Sequence, residues 1–266
     1  MSVNQDKIKA IIQKIWSKLP NPQPMSGNDI PDKIDEVYEA GKEQRLSDMW
    51  DMIQANGNRT IYTRAFSNMY ISKDLFKPKY DFKFSNSQYL FTDAYGDVLD
   101  LDAIEKECGI VFDFSEATVI NAAFQYAPVE KANVIDGSNS KSLNYFFCGT
   151  NSFNPHPIKW VNKLIVNPEA TFTSSFNWCT LLEHIIFEGT IGKSGLTLSH
   201  STKLDKESLI SVVNTLSATT TGLSVTLSKT AVNKAFETSE GANDGSTSTE
   251  WATLIATKSN WTISLA

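Results

Sequence analysis

The usual signals of export, membrane insertion and nucleic-acid binding are missing from this sequence. Its opening residues, Met-Ser-Val-Asn-Gln-Asp-Lys, lack the apolar core of a signal peptide, and no stretch approaches the roughly 18 apolar residues that span a membrane. Lys and Arg form no cluster longer than two and the net charge is -6, so phosphate backbones find no basic surface. We therefore expect no nucleic-acid binding, no membrane insertion and no secretory export.

Cysteine and histidine are scarce, with 3 of each, which argues against disulfides and metal sites. The cysteines, Cys108, Cys148 and Cys179, are odd in number and far apart, unlike a disulfide framework. A zinc set of Cys148, His156, Cys179 and His184 lacks the close Cys-x-x-Cys or His-x-x-x-His pair that forms half of a site. We predict that the chain binds no metal and uses no cofactor.

Recognisable catalytic motifs are absent as well. None of the three histidines lies in a nucleophile elbow or a comparable motif. The densest acidic cluster, Asp97, Asp100, Asp102 and Glu105, is typical of a solvated face leading into a short helix. We predict that the protein is not an enzyme. A carboxylate pair that cleaves glycans stays as the alternative, because its spacing depends on the fold.

The sequence does contain ample material for a folded core, with 41% hydrophobic residues. Ile8, Ile11, Ile15 and Trp16 share one face of an amphipathic helix ahead of a Pro-rich break, so we expect them to serve attachment or oligomerisation. Four segments are predicted: a helical N-terminal attachment segment (1–57), an irregular β-containing region (58–111), leucine-rich repeats (112–200) and an α/β cap (201–266).

The most informative feature is a repeated phrase between Phe124 and Phe187: an aromatic opening, a polar stretch and an aliphatic run. The second and third copies align Val161 with Leu182, Leu164 with Ile185 and Val166 with Phe187. Their period of 21 residues lies in the range of leucine-rich repeats. Such repeats bury one set of side chains and present another to partners, which favours binding over catalysis.

The alternation of a strand predicts which side chains face outward. If Leu164, Val166, Ile185 and Phe187 point inward, the outward columns align three sets of residues, with an exposed aliphatic stripe in the middle column. The predicted sets are Ala132, Val134 and Asp136; Lys163, Ile165 and Asn167; and His184, Ile186 and Glu188. The stripe is Val134, Ile165 and Ile186. Alternatively, a slip of one residue would bury the stripe and turn Asn133 outward.

The third copy resembles the BspA-type leucine-rich repeat through Phe176, Cys179, Leu182, Ile185 and Phe187. The flanking text is similar to the terminal sections of leucine-rich-repeat proteins encoded in phages and prophages of gut Firmicutes. The matching stretches are Ile34–Lys42, Met49–Thr60, Phe76–Asp81 and Asn260–Ile263.

This resemblance implies the fold class α+β: a helical N-terminal segment, a short irregular leucine-rich-repeat β-solenoid and an α/β C-terminal cap. It also implies a virion protein of the tail, baseplate or a head appendage, assembled in the bacterial cytoplasm and serving adhesion. The expected partners are other virion proteins or a host cell-surface protein or glycan, with the protein itself a homo-oligomer. The predicted binding residues are Val134, Lys163, Ile165, Asn167, His184, Ile186 and Glu188.

Overall fold

The computed structural model describes residues 66–68, 70–71, 82–83, 87–109, 111–237 and 244–266. The chain divides into two compact units, 1–58 and 59–266, and every described residue belongs to the second. The predicted helical segment 1–57 therefore lies outside the described residues. So do its proposed attachment residues, Ile8, Ile11, Ile15 and Trp16.

The described strands and helices are mostly short. The strands are β1 (Tyr70–Ile71), β2 (Phe82–Lys83), β3 (Tyr95–Gly96), β4 (Leu99–Asp100), β5 (Phe112–Asp113), β6 (Val129–Gly137), β7 (Trp160–Val166), β8 (His184–Gly189), β9 (Thr197–Leu198), β10 (Leu223–Leu227) and β11 (Trp261–Leu265). The helices are α1 (Leu101–Cys108), α2 (Lys206–Thr215), α3 (Lys229–Ala235) and α4 (Thr249–Ala256), with a 3-10 turn at Gly245–Thr247.

Every strand pairing in the described part of the chain is parallel. The strands form four sheets, in the orders β1-β3, β2-β5, β4-β6-β7-β8 and β11-β10-β9. The predicted α+β class with a β-solenoid is therefore wrong. The strands divide among separate parallel sheets, and the C-terminal elements follow the order α2-β10-α3-α4-β11, in which helices connect parallel strands, which is an α/β arrangement.

A stack of hydrogen-bonded turns lies between the strands and carries the aromatic core. Successive turns are joined by backbone bonds such as Phe66 N–H to Leu90 C=O (2.9 Å) and Phe91 N–H to Ala123 C=O (2.7 Å). This register stacks Phe66, Phe91, Phe124, Phe147 and Phe176, with consecutive ring centroids 4.7–6.0 Å apart. All five side chains are fully or nearly fully buried. Aromatic stacking and burial together hold the turns in register.

The loop 150–155 is an insertion in the stack. Gly149 and His156 donate their backbone N–H to neighbouring rungs, the C=O groups of Asn177 and Trp178, so the six residues between them project out of the stack. A side chain at Gly149 would meet the His156 nitrogen at 2.5 Å, so this close approach requires glycine. The insertion separates Ile135 from its partner Leu164 by 29 positions, whereas Leu164 and its partner Phe187 are 23 positions apart.

The predicted 21-residue alignment of β7 with β8 is wrong by two residues at Leu164 and Val166 and by three at Val161, because the register shifts between Val161 and Leu164. Val161 pairs with Ile185, Leu164 with Phe187 and Val166 with Gly189, rather than with Leu182, Ile185 and Phe187. The slip of two leaves Leu164 and Val166 facing the core as predicted, because the strand period is two, but changes their neighbours.

The free edge of β8 is covered by the first described helix of the C-terminal region, α2. Ser208 Oγ accepts from Ile185 N–H (2.8 Å), Ser211 Oγ accepts from Phe187 N–H (3.2 Å), and Thr215 Oγ1 donates to Phe187 C=O (3.2 Å). Three hydroxyls on one helix face thus replace the next strand of the sheet, which satisfies edge groups that otherwise invite aggregation.

Candidate functional site on the outer sheet face

The candidate site is the face of β6, β7 and β8 that points away from the core, here called the outer face. The opposite face is buried, and it includes the predicted inward residues Leu164, Val166, Ile185 and Phe187. On the outer face, Val134 and Trp160 keep 40% and 38% of their surface exposed. Lys163, Ile165 and Ile186 are partly exposed, and Glu188 is exposed.

The predicted columns of outward-facing side chains are not formed. Val134 pairs with Lys163, whereas Ile165 lies between Asp136 and Glu188. Ala132 and His184, both expected outward, are buried. The three aliphatic residues Val134, Ile165 and Ile186 are therefore staggered on the outer face and form no continuous stripe. Asn167 instead ties two turns together, its Nδ2 donating to Ser138 C=O (2.6 Å).

One row of side chains crosses all four strands of this sheet. The register places Asp100 opposite Lys131, Lys131 opposite Trp160, and Trp160 opposite His184. Lys131 forms an ion pair with Asp100 (3.1 Å), and the Trp160 and His184 rings stack with centroids 4.0 Å apart. His184 Nδ1 donates to Asp205 Oδ2 (2.6 Å) at the start of α2. We call these five residues the transverse row.

A chain of amide hydrogen bonds adjoins this row and has a fixed polarity. Trp160 Nε1 donates to Asn162 Oδ1 (2.6 Å), Asn162 Nδ2 donates to Asn133 Oδ1 (2.9 Å), and Asn133 Nδ2 donates to Glu105 Oε2 (2.8 Å). Indole nitrogen only donates and an ionised carboxylate only accepts, so both amides must point the same way along the chain. Asn162 Nδ2 also lies 3.4 Å from Asp102 Oδ1. Helix α1 supplies both carboxylates and so forms one wall of the site.

Lysines around the outer face are neutralised by neighbouring carboxylates. Besides Lys131 with Asp100, the pairs are Lys106 with Asp102, Lys159 with Glu130 and Lys163 with Glu188, each at 2.6 Å. The hydrogen bond and charge of Asp100 raise the pKa of Lys131. Solvent screens exposed pairs of this kind, so they shape the local charge more than they stabilise the fold.

Asp205 is held as a carboxylate at the far end of the transverse row. Burial acts to raise its pKa, but hydrogen bonds from the Ser208 hydroxyl, His184 and the Ser208 backbone outweigh it, and the pKa of Asp205 lies below its usual value. The same carboxylate caps helix α2 through Ser208 N–H (2.8 Å). Asp205 therefore both caps helix α2 and holds His184 at the end of the transverse row.

The acidic cluster serves the structure through several of its members. Asp100 caps α1, accepting from Ala103 N–H (2.9 Å), and Glu105 Oε1 accepts from Phe112 N–H (2.9 Å). Asp102 is paired with Lys106. These contacts match the predicted role of the cluster as a face leading into a helix.

The suspected zinc residues are also engaged elsewhere. His156 is buried, its Nε2 lies 2.7 Å from Phe124 C=O and its Nδ1 accepts from Ile158 N–H (3.1 Å). Cys179 Sγ donates to Phe147 C=O at 2.9 Å, and burial raises the pKa of both Cys148 and Cys179. Within the described ranges, no group of three or more His, Cys, Asp or Glu side chains is placed to hold a metal ion.

Sequence reasoning placed Val134, Ile165 and Ile186 on the outer face but missed most of the transverse row, of which only His184 was predicted to bind. Lys131, Trp160, Asn162 and Asp205 gave no separate signal, because their meeting depends on a register that periodicity misplaced by two or three residues. Asn133 gave the one available sign, as a polar residue that fitted the predicted columns badly.

Comparison of the chain with family models, curated proteins and solved structures finds no match. None of the helices among the described residues is long and apolar enough to cross a membrane.

Proposed function

We propose that this protein is a non-enzymatic virion-associated adhesion or structural protein of the tail, baseplate or a head appendage. Its outer face contacts a host-surface ligand or a neighbouring virion subunit. The observation that carries the proposal is the ordered outer face itself, where Trp160 and Val134 stay substantially exposed beside a fixed hydrogen-bond chain. Exposed apolar groups framed by oriented polar groups are typical of recognition surfaces.

The rigidity of the transverse row favours a binding surface over a sheet face that is merely solvated. The Trp160 indole is stacked on His184, and His184 is held by Asp205, so the row is positioned before any partner arrives. A preorganised surface loses less side-chain entropy on binding. The resemblance to phage leucine-rich-repeat proteins supports the proposed setting in a virion.

The test is a charge placed in the middle of the outer face, Ile165→Lys. Ile165 lies between Asp136 and Glu188, so a lysine there gains two carboxylate neighbours and the fold should persist, with unfolding free energy changed by less than about 1 kcal/mol. We expect adhesion of purified protein to host cells, or its incorporation into particles, to fall by about tenfold or more.

Phe153→Ala is the matched control, because it removes a side chain that is 97% exposed in the loop 150–155. Normal adhesion and normal particle incorporation by folded Ile165→Lys protein would refute the assignment of the outer face. Unfolding of that variant, seen by circular dichroism, would show instead that Ile165 is part of the core.

A further inference from the structure

We infer that the outer face binds an uncharged saccharide, with the Asn133–Asn162 amide chain and the exposed part of the Trp160 indole as its binding site. This inference rests on the proposed adhesion function and narrows the ligand class. The inferred event is binding without bond cleavage.

The unused hydrogen-bonding capacity of the two amides fits hydroxyl groups. Each amide oxygen already accepts one hydrogen bond and has a second lone pair, and Asn133 Nδ2 keeps one further N–H. The adjacent Asp102 and Glu105 oxygens add acceptors. Hydroxyls both donate and accept, whereas a phosphate only accepts and would leave most of these groups without a partner.

The charges around the outer face argue against an anionic ligand more strongly than the hydrogen-bonding capacity of the amides does. The surrounding cations Lys106, Lys131, Lys159 and Lys163 are each engaged by a carboxylate. An anionic polymer would have to displace those carboxylates and approach Asp102 and Glu105 as well. A neutral ligand breaks no ion pair, so the charge pattern is complementary to an uncharged chain.

Trp160 supplies the apolar part of the contact. One face of the indole stacks on His184, while 38% of the residue remains exposed, next to the amides that its own Nε1 orients. A pyranose ring offers both apolar C–H groups and hydroxyls, and an indole beside two amides meets both. A cationic peptide would also find acceptors here, but it would leave the exposed ring and the Asn133 N–H unused.

The experiment is calorimetric titration of the full-length protein with defined probes at millimolar concentration. The neutral probes are hexasaccharides of glucose, galactose and N-acetylglucosamine. The comparison probes are a glycerol phosphate hexamer and pentalysine. We expect at least one neutral hexasaccharide to bind and to shift the Trp160 Nε1–H resonance in nuclear magnetic resonance spectra. The glycerol phosphate hexamer should not bind.

Matched variants locate the site. Asn162→Ala and Trp160→Ala should each weaken saccharide binding by about tenfold or more. Trp160→Phe keeps a ring but loses Nε1–H, so its affinity for the saccharide should lie between that of these two variants and that of the parent. The controls are Asn139→Ala, at an exposed amide that donates to Ser115 C=O, and Phe153→Ala.

Three outcomes would overturn the inference: no neutral hexasaccharide binds, only pentalysine binds, or saccharide binding is indifferent to Asn162→Ala and Trp160→Ala. If these titrations fail while Ile165→Lys still abolishes adhesion, the ligand class is wrong and the adhesion function stands. If the titrations succeed and adhesion is unaffected by Ile165→Lys, the saccharide site is separate from adhesion.

Discussion

At the scale of single residues, phenylalanine does most to join one turn of this molecule to the next. Phe124 is fully buried and has four ring neighbours, with centroid distances of 5.5 Å to Phe91, 5.2 Å to Phe147, 5.2 Å to Phe146 and 5.8 Å to Phe114. Each ring therefore packs against rings from neighbouring turns. Truncating one of them leaves a cavity that rigid backbone rungs on both sides cannot close.

Phe124→Ala should accordingly lower the unfolding free energy by about 3–5 kcal/mol. Phe153→Ala, the same chemical change at a 97% exposed position, should alter it by no more than about 0.5 kcal/mol. Urea denaturation of the two variants checks both values. A loss below about 1 kcal/mol for Phe124→Ala would mean that the stacked rings are not what holds the turns.

At the scale of elements, the sequence periodicity predicted the sheet face of a residue better than it predicted the residue opposite it on the next strand. The alternation of β7 and β8 assigns Leu164, Val166, Ile185 and Phe187 to the interior, where they are buried. The pairing was misplaced by two or three residues, because the hydrophobic period carries no information about which residues of neighbouring strands lie opposite each other. The six-residue loop 150–155 breaks the spacing between one pair of strands but not the next, so no single period fits both.

The candidate site was out of reach of the sequence for a related reason. Asn133 and Asn162 are ordinary polar strand residues until the register brings them to 2.9 Å, and the α1 carboxylates reach them across 28 and 60 positions. Side chains this distant in sequence meet only through the packing of α1 on β6.

Helix α2 protects the edge of β8, and its hydroxyls can be tested one at a time. Ser208→Ala removes the acceptor for the buried Ile185 N–H, and leaving that donor unpaired should cost about 1–3 kcal/mol. Thr253→Ala on α4 is the control, because its hydroxyl bonds to Thr249 C=O of its own helix. Thermal unfolding with light scattering should show earlier aggregation for Ser208→Ala alone. Equal behaviour of the two variants would deny the edge-covering role of α2.

At the scale of the whole molecule, stability should depend on pH through one histidine buried in the turn stack. Burial lowers the pKa of His156 to about 4, despite the hydrogen bond to Phe124 C=O that acts to raise it. In the unfolded chain the same imidazole has a pKa near 6.5, so between about pH 6.5 and 4 the unfolded state binds the extra proton. The fold is then destabilised as the pH falls through this window, by about 3 kcal/mol in total.

Urea denaturation at pH 7, 5.5 and 4.5 measures this loss, and His156→Gln isolates it. The glutamine variant should be less stable at pH 7, because it changes a fully packed site, but it should lose less stability than the parent between pH 7 and 4.5. The lowered pKa of Asp205 affects stability at a lower pH than His156 does, since the stability that it contributes is lost only as the pH falls below about 4. Equal pH slopes for parent and variant above pH 4.5 would show that His156 protonates as readily in the folded protein as in the unfolded chain. The stack would then be open to water at its centre.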